Sequence, residues 1–240
     1  MLNKILFVFE GQRPEKIILQ SLCNNLFNVK KHLIVECVFD AEIYQLYAWL
    51  KKDEYIDTFE MLKGKVGKVL DEYERDDFAE IYLFFDYDGH ASTADNYKIM
   101  ELLTFFNNET EKGKLFVSYP MVEAIKHIVE NESFQHKVVP CKIKDYKSLV
   151  NTEASKNLKD FRKYDINIWK LILRLHLYKM NYIVNDVFDY PLSVIQQDEI
   201  FKCQYDKYIS PSAEISVLSA FPLFIHYYFG HVRVLEMLSK

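Results

Sequence analysis

An α/β fold built on a mainly parallel sheet covered by helices, with a helical extension after it, is what this chain predicts, and three observations carry the prediction. Over residues 1–145, compact apolar runs of strand length alternate with stretches of helical period. Those runs are short and apolar, as strands buried on both faces of a sheet are. From about residue 146 the strand signals give way to longer stretches that look mainly helical. The chain therefore reads as a sheet-bearing unit, 1–145, followed by a helical extension, 146–240. No Pro-, Gly- or Ser-rich linker separates the two, and no internal repeat is present.

Taken in order, Ile5–Phe9 is the first strand, followed by a turn and a helix from about Pro14 to Leu26. Pro14 suits a first helical position, where its missing N–H has no partner to lose. Leu33–Phe39 is the second strand, and helices are expected near Ala41–Lys51 and Thr58–Tyr73. Ile81–Phe85 is the third strand. Ser92, with Asp95 three residues on, predicts a capping box opening a helix to about Phe106. Leu115–Ser118 is the fourth strand, Val122–Val129 a helix and Val138–Ile143 a fifth strand. In the extension, Ile166–Val184, Leu192–Tyr205 and Ile215–Leu238 read as helices.

Half of the 240 residues are hydrophobic, and 18 Phe with 17 Tyr supply enough area for a substantial core. A formal net charge of −5 argues against a generally basic surface coating nucleic acid, although a local groove remains compatible with it. Cys23, Cys37, Cys141 and Cys203 lie far apart and read as free thiols of a reducing cytosol. Met1–Phe9 is too short for a secretory signal. The apolar stretch 166–184 carries Lys170, Arg174, His176 and Lys179 at helical intervals, and 215–229 falls short of the roughly 18–20 residues a bilayer span requires. A cytoplasmic protein with no membrane partner is expected. The aromatic run Phe221–Phe229 reads as core at helical spacing, with base stacking or dimerisation as the other readings.

The chemistry concentrates at strand ends. In LFFDYDGH, residues 83–90, an apolar strand stops at two carboxylates, Asp86 and Asp88, which strand alternation turns to the same side. Two carboxylates facing one point repel unless a proton or cation lies between them, and a hard divalent ion, Mg²⁺ or Mn²⁺, suits them. Asp86-Tyr87-Asp88-Gly89 also suits a plain polar turn. The first strand likewise ends in acid, at Glu10-Gly11, and Glu15 follows in the first helical turn, where the helix dipole favours negative charge. In parallel α/β sheets the site lies beyond the carboxyl ends of the strands. If the first and third strands are neighbours, Glu10, Asp86 and Asp88 share one acidic pocket. No HxH or HExxH pair, Walker A loop, GxGxxG or GxSxG elbow is present, which argues against zinc, nucleotide-cofactor and serine-hydrolase chemistry.

A strand-end Glu-Gly followed on a later strand by Asp-x-Asp resembles the Toprim fold. The paired form Glu10-Gly11-Gln12-Arg13-Pro14-Glu15 resembles the Toprim-like nucleases of bacterial defence systems, such as the RloB and OLD groups, over about residues 4–143. The resemblance implies that Glu10 binds metal or serves as acid/base, that Asp86 and Asp88 bind metal, and that Glu15 serves a second ion. Ser118-Tyr119-Pro120-Met121-Val122-Glu123 resembles the Asn-Pro-x-Phe-Glu segment of the RloB-like group, with Ser in place of Asn and no aromatic before the Glu. It implies Glu123 as a further ligand and Ser118 as a phosphate contact. Phosphodiester cleavage of DNA or RNA with one or two Mg²⁺ or Mn²⁺ ions is the expected activity, in anti-phage defence. Lys142 and Lys144 are the candidate phosphate contacts from the fifth strand, and His90 follows the Asp-Gly turn.

Two other readings stand beside it. Asp86-Tyr87-Asp88-Gly89 resembles the Asp-x-Asp-Gly of haloacid-dehalogenase-like phosphatases, with Asn185-Asp186 and Asp189 as a possible later acidic motif. That family's motif follows the first core strand, not the third, and gives Glu10 no role. The other reading is a non-catalytic Toprim-like subunit whose aromatic tail docks an ATPase or another defence-system protein, or a second copy of the chain.

Overall fold

The computed structural model describes residues 3–27, 32–52, 55 and 57–239; Met1 and Leu2, at the head of the segment tested above as a signal, lie outside them. Its centre is a five-stranded sheet in the order β2-β1-β3-β5-β4. The strands β1 (Asn3–Phe9), β2 (His32–Val38), β3 (Phe78–Asp86) and β5 (Gly113–Ser118) run parallel. The two-residue β4 (Asn107–Asn108) closes one edge antiparallel. This is the α/β architecture with a mostly parallel sheet and a helical C-terminal region.

Alternation along the strands sends Phe84 to one face and Phe85 to the other. On the first face, Phe7, Phe84 and Phe116 from three adjacent strands meet Phe224 of α9 (Ala220–Phe229), with ring centroids 5.4–5.7 Å away. Phe221 of the same helix stacks on Phe84 at 4.9 Å. The long α6 (Ile166–Asn185) packs against α9 and against α1 (Pro14–Asn25), burying Trp169, Ile172, Leu173 and Leu177. On the second face Phe85 meets Phe39, which meets Trp49 of α2 (Ile43–Leu50); α4 (Asn96–Phe105) packs beside α2, and α3 (Thr58–Val66) brings Phe59 onto Phe78. The aromatic run Phe221–Phe229 is thus largely core: residues 220–226 are buried, and only its end keeps partial exposure.

Several elements differ from the sequence expectation for identifiable reasons. Val138–Ile143 does not join the main sheet, whose β5 edge is already taken by β4. Instead β6 (Val138–Pro140) forms an antiparallel ribbon with β7 (Glu214–Ser216), so Ile215 is in a strand and not a helix. Asp95, not Ser92, caps α4, its carboxylate accepting from the Tyr97 amide at 2.8 Å. The helix expected over Thr58–Tyr73 stops at Val66 because Gly67 takes a positive φ of 60°. Val122–Lys126 is a single 3₁₀ turn.

The extension reaches the sheet through further short elements: α5 (Tyr146–Glu153), α7 (Gln197–Gln204), a π-turn at Tyr205–Ile209 leading into α8 (Ser210–Ser212), and finally α10 (His231–Ser239). Just past β5, Tyr119 exchanges backbone hydrogen bonds with Leu218 at 2.8 and 3.0 Å. The Ala220 amide then donates to Ser118 Oγ at 3.3 Å. Residues 146–239 are therefore bonded to the carboxyl edge of the sheet as well as packed on one of its faces. All four cysteines are free, and no helix among the described residues is long and apolar enough to cross a membrane.

Phe224 carries this arrangement. Phe224→Ala should lower unfolding free energy by about 3–5 kcal/mol, the usual range for a fully buried phenylalanine. Urea denaturation should show the whole chain shifting as one transition; a separate early transition of the C-terminal helices would contradict the shared core.

Candidate functional site

The register of β1 against β3 pairs Phe9 with Phe84 and carries Glu10 one step further, beside Asp86. The Glu10 amide donates to the Phe84 carbonyl at 3.0 Å, and the Asp86 amide donates to Glu10 Oε2 at 2.8 Å. This pair of bonds ties the first strand end to the third. Glu15 folds back onto the same edge, its Oε1 accepting from the Gly11 amide at 3.2 Å. A Cβ on residue 11 would stand 3.1 Å from that oxygen, so a larger residue there would push the Glu15 carboxylate back.

The two aspartates come together differently from expectation. β3 ends at Asp86, and Asp88 takes a left-handed φ of 45°, so a turn and not strand alternation places its carboxylate. The turn is held closely. Tyr44 Oη donates to the Tyr87 carbonyl at 2.7 Å, and Tyr87 Oη donates to Asn96 Oδ1 at 2.7 Å. The Asp88 amide reaches the Pro120 carbonyl at 3.2 Å. Gly89 is indispensable here: a Cβ would lie 2.4 Å from the Cys141 carbonyl oxygen and 2.5 Å from the Tyr87 ring.

Burial and repulsion define the electrostatics. Asp86, Asp88, Glu15 and Glu123 are 9, 8, 5 and 3 % exposed, while Glu10 keeps partial exposure. Burial first, and then the charges of Glu10 and Asp88, hold the Asp86 carboxyl well above the usual range. Burial and then Asp88 do the same to Glu10, and burial raises Glu15. Asp88 is pushed up to about 6 by burial, with the charges of Glu42 and Glu123 adding to the rise and nearby His90 opposing it. One oxygen each of Glu15, Asp88 and Glu123 (Oε2, Oδ1 and Oε2) is buried without a hydrogen-bond partner.

Among the described residues, no three His, Cys, Asp or Glu side chains as placed form a cage that could hold a metal ion. The donor chemistry nevertheless suits a hard divalent cation. All five groups are carboxylates, neighbouring charges raise the proton affinity of Glu10, Glu15, Asp86 and Asp88, and three of the five carry buried oxygens without a hydrogen-bond partner.

The candidate residues separate clearly. Glu10, Glu15, Asp86, Asp88 and Glu123 lie within mutual electrostatic reach, and His90 Nδ1 stands 3.8 Å from Asp88 Oδ1. Ser118 sits beside Asp86 across the β3–β5 pairing, but it is buried and its hydroxyl accepts from α9, which gives it a capping role in place of a phosphate contact. Lys142 and Lys144 are exposed on the segment that packs on Gly89, and no ion pair joins either to the carboxylates. The lysine that does approach is Lys147, 3.9 Å from Glu123 Oε1. Asn185, Asp186 and Asp189 are engaged elsewhere: Asn185 donates to Asn181, Asp186 pairs with Lys207 at 2.7 Å, and the Asp189 carbonyl accepts from Asn181.

Lys147 and Glu42 escaped the sequence reading. Glu42 had a signal, since it follows β2 at the same carboxyl edge as Glu10. Lys147 had none, because its approach depends on how the first turn of α5 docks onto the 3₁₀ turn that bears Glu123. No family model, curated protein or solved structure matches the chain.

A pH signature follows from Asp88. An unfolded aspartate titrates near about 3.9, and the folded one is pushed up to about 6. Between those values the folded chain binds more protons, so stability falls as pH rises through the window, and the repulsion is fully present above it. Asp88→Asn removes the charge with a residue that accepts the left-handed conformation. Without divalent cations at pH 7.5 it should raise the melting temperature by about 2–4 °C, corresponding to about 1 kcal/mol. The gain should disappear near pH 4 in a thermal-melt series.

Proposed function

We propose that this protein is a Toprim-like, divalent-metal-dependent phosphodiesterase that cleaves nucleic acid. The observation that carries the reading is the gathering of Glu10, Glu15, Asp86, Asp88 and Glu123 at the carboxyl edge of a parallel sheet, with three buried oxygens left unpartnered. Stability alone does not favour such a cluster, because each buried charge opposes the next. A fold that retains it is holding it for a ligand of opposite sign.

In this reading Glu10, Asp86 and Asp88 hold a Mg²⁺ or Mn²⁺ ion, with Glu15 and Glu123 available to a second. Such ions polarise a phosphoryl oxygen and lower the pKa of bound water. The residues themselves do the positioning. Glu10 is fixed through the Asp86 amide, which donates to its Oε2. The Tyr44, Tyr87 and Asn96 bonds hold the Asp88 turn against rotation. Lys147, mostly exposed and next to Glu123, supplies positive charge where a phosphate would enter. Lys142 and Lys144 lie on the same exposed stretch and suit contacts to more distant phosphates of a polymeric substrate. A local run of lysines beside the site reconciles a nucleic-acid substrate with a net charge of −5.

The haloacid-dehalogenase-like phosphatase is the weaker alternative. It leaves Glu10 without a role, although Glu10 is hydrogen-bonded to Asp86, and its later acidic motif is engaged away from the site. Anti-phage defence as the setting, and an ATPase or other defence protein as partner, rest on the family resemblance.

The test is incubation of the full chain with DNA, tRNA and other RNA in Mg²⁺ or Mn²⁺. Cleavage is expected, and Glu10→Ala and Asp86→Ala should each reduce it by about two orders of magnitude or more. Failure to cleave all of these substrates would overturn the assignment. Monoester hydrolysis lost in Asp86→Ala and kept in Glu10→Ala would point to the phosphatase.

A further inference from the structure

Close to the carboxylates lies a surface that takes no part in holding a metal. Where α4 packs against α7, the two helices leave a cleft of about 560 Å³ between them. Tyr97 and Met100 form its α4 wall, and Phe201 and Tyr205, one helical turn apart, form its α7 wall. Phe201 is buried, whereas Tyr97 is 67 % and Tyr205 40 % exposed.

The cleft is tied to the Asp86–Asp88 turn through Tyr87, the residue between the two aspartates. Asn96, which also lines the cleft, accepts the Tyr87 hydroxyl at 2.7 Å, and the Phe201 and Tyr87 ring centroids are 6.2 Å apart. The backbone between them is compact. The Ala91 amide donates to the Asp88 carbonyl at 2.9 Å, and the amide of Ala94, at the cleft, donates to the Ala91 carbonyl at 3.1 Å. The cleft therefore stands one tyrosine ring from the turn that bears the candidate metal ligands.

The chemistry of its walls selects an occupant. Two exposed phenol rings and a thioether offer flat, polarisable surface. The Asn96 amide oxygen is taken by Tyr87, which leaves its N–H groups to donate. Faces for stacking and a donor at the edge suit a nucleobase, since every base has a π-face and acceptor atoms along its edge. A phosphate is poorly suited, because the charged residue lining the cleft is an acid, Asp95. A paired base is held inside its own stack, so the occupant is an unpaired one. A second cleft, about 730 Å³, shares Tyr97 and Met100 with the first and leads on to Phe105, where Lys112 Nζ lies 4.0 Å from the ring centroid. That continuity suits a strand better than a single nucleotide.

We propose that the α4–α7 cleft is a nucleobase subsite. It takes an unpaired base of a strand whose phosphodiester lies at the carboxylates, with Tyr97 and Tyr205 as the stacking residues. The inference rests on the nuclease reading above and narrows its substrate to nucleic acid that is single-stranded near the cut.

The experiment measures binding apart from cleavage. Fluorescence anisotropy follows the full chain with a fluorescein-labelled single strand of about 12 nucleotides, within the usual size of single-strand sites, offered in turn as DNA and RNA, and with the matching duplex. Ca²⁺ replaces Mg²⁺ as the hard cation for the carboxylates, and a gel checks that the strand stays whole. Tyr97→Ala and Tyr205→Ala should each weaken single-strand binding roughly 10-fold, the scale of one lost base–aromatic stack. Tyr97→Phe should keep the affinity, and duplex binding should be the same in all variants. Both positions are exposed, so thermal melts should be unchanged. If the alanine variants bind the single strand like the unaltered chain, the subsite is refuted, while cleavage of DNA or RNA leaves the nuclease reading standing. Equal loss of duplex binding would show that the tyrosines do not read bases, and the inference falls. Competition by adenosine monophosphate as strong as that by unlabelled strand would make the cleft a mononucleotide site and overturn the strand assignment. No binding of either strand by the unaltered chain also refutes it. Tyrosine-dependent binding by a chain that cleaves no nucleic acid would uphold the subsite and overturn the nuclease.

Discussion

The register between β1 and β3 is the constraint on which the site depends. Phe7 and Phe9 stand beside Tyr82 and Phe84, and the rings pack under Phe221 and Phe224 of α9. A slip of one residue would reverse the faces of the whole strand and lift these rings out of the core. Because the aromatic packing forbids the slip, Glu10 must emerge beside Asp86, where its carboxylate accepts the Asp86 amide. Hydrophobic packing thereby sets a charge geometry that electrostatics alone would oppose.

That opposition is the main energetic conflict of the molecule. Asp86, Asp88, Glu15 and Glu123 are buried with Glu10 at one sheet edge, and burial and mutual repulsion raise the pKa values of Asp86, Asp88 and Glu10 together. Each of the surrounding devices acts to keep the groups in place: the left-handed Asp88, the glycine pressed on Cys141 and the tyrosine bonds across the turn. Local conflict held by an otherwise consistent fold is the usual mark of a working site.

The C-terminal region is integral to this arrangement. Its helix α9 roofs the central strands, its strand β7 pairs with β6, and Leu218 and Ala220 are bonded to Tyr119 and Ser118 beside Asp86. The helix that carries Tyr146 and Lys147 opens the same region. Sheet and extension together thus enclose the carboxylates, and three of their oxygens are buried without a hydrogen-bond partner.

Much of this was legible in the chain itself. Short apolar runs separated by helical periods determine a buried parallel sheet, since only such a sheet satisfies strands apolar on both faces. Strand ends at Glu10 and Asp86 identify the edge where the acids gather, because the carboxyl ends of parallel strands share one side. What the sequence could not decide was which strands are neighbours, and which distant side chains complete the edge. The segment 138–143 carries the same apolar signal as a central strand, yet the free edge it needed was already occupied by β4. Lys142 and Lys144 resemble Lys147 as exposed lysines of one stretch, and only the docking of α5 brings the third to Glu123. His127, Tyr146 and Glu153 are ordinary residues in the sequence, and their hydrogen-bonded contacts exist only after folding. Local pattern determines elements and edges, whereas contacts between segments far apart in the chain depend on tertiary packing.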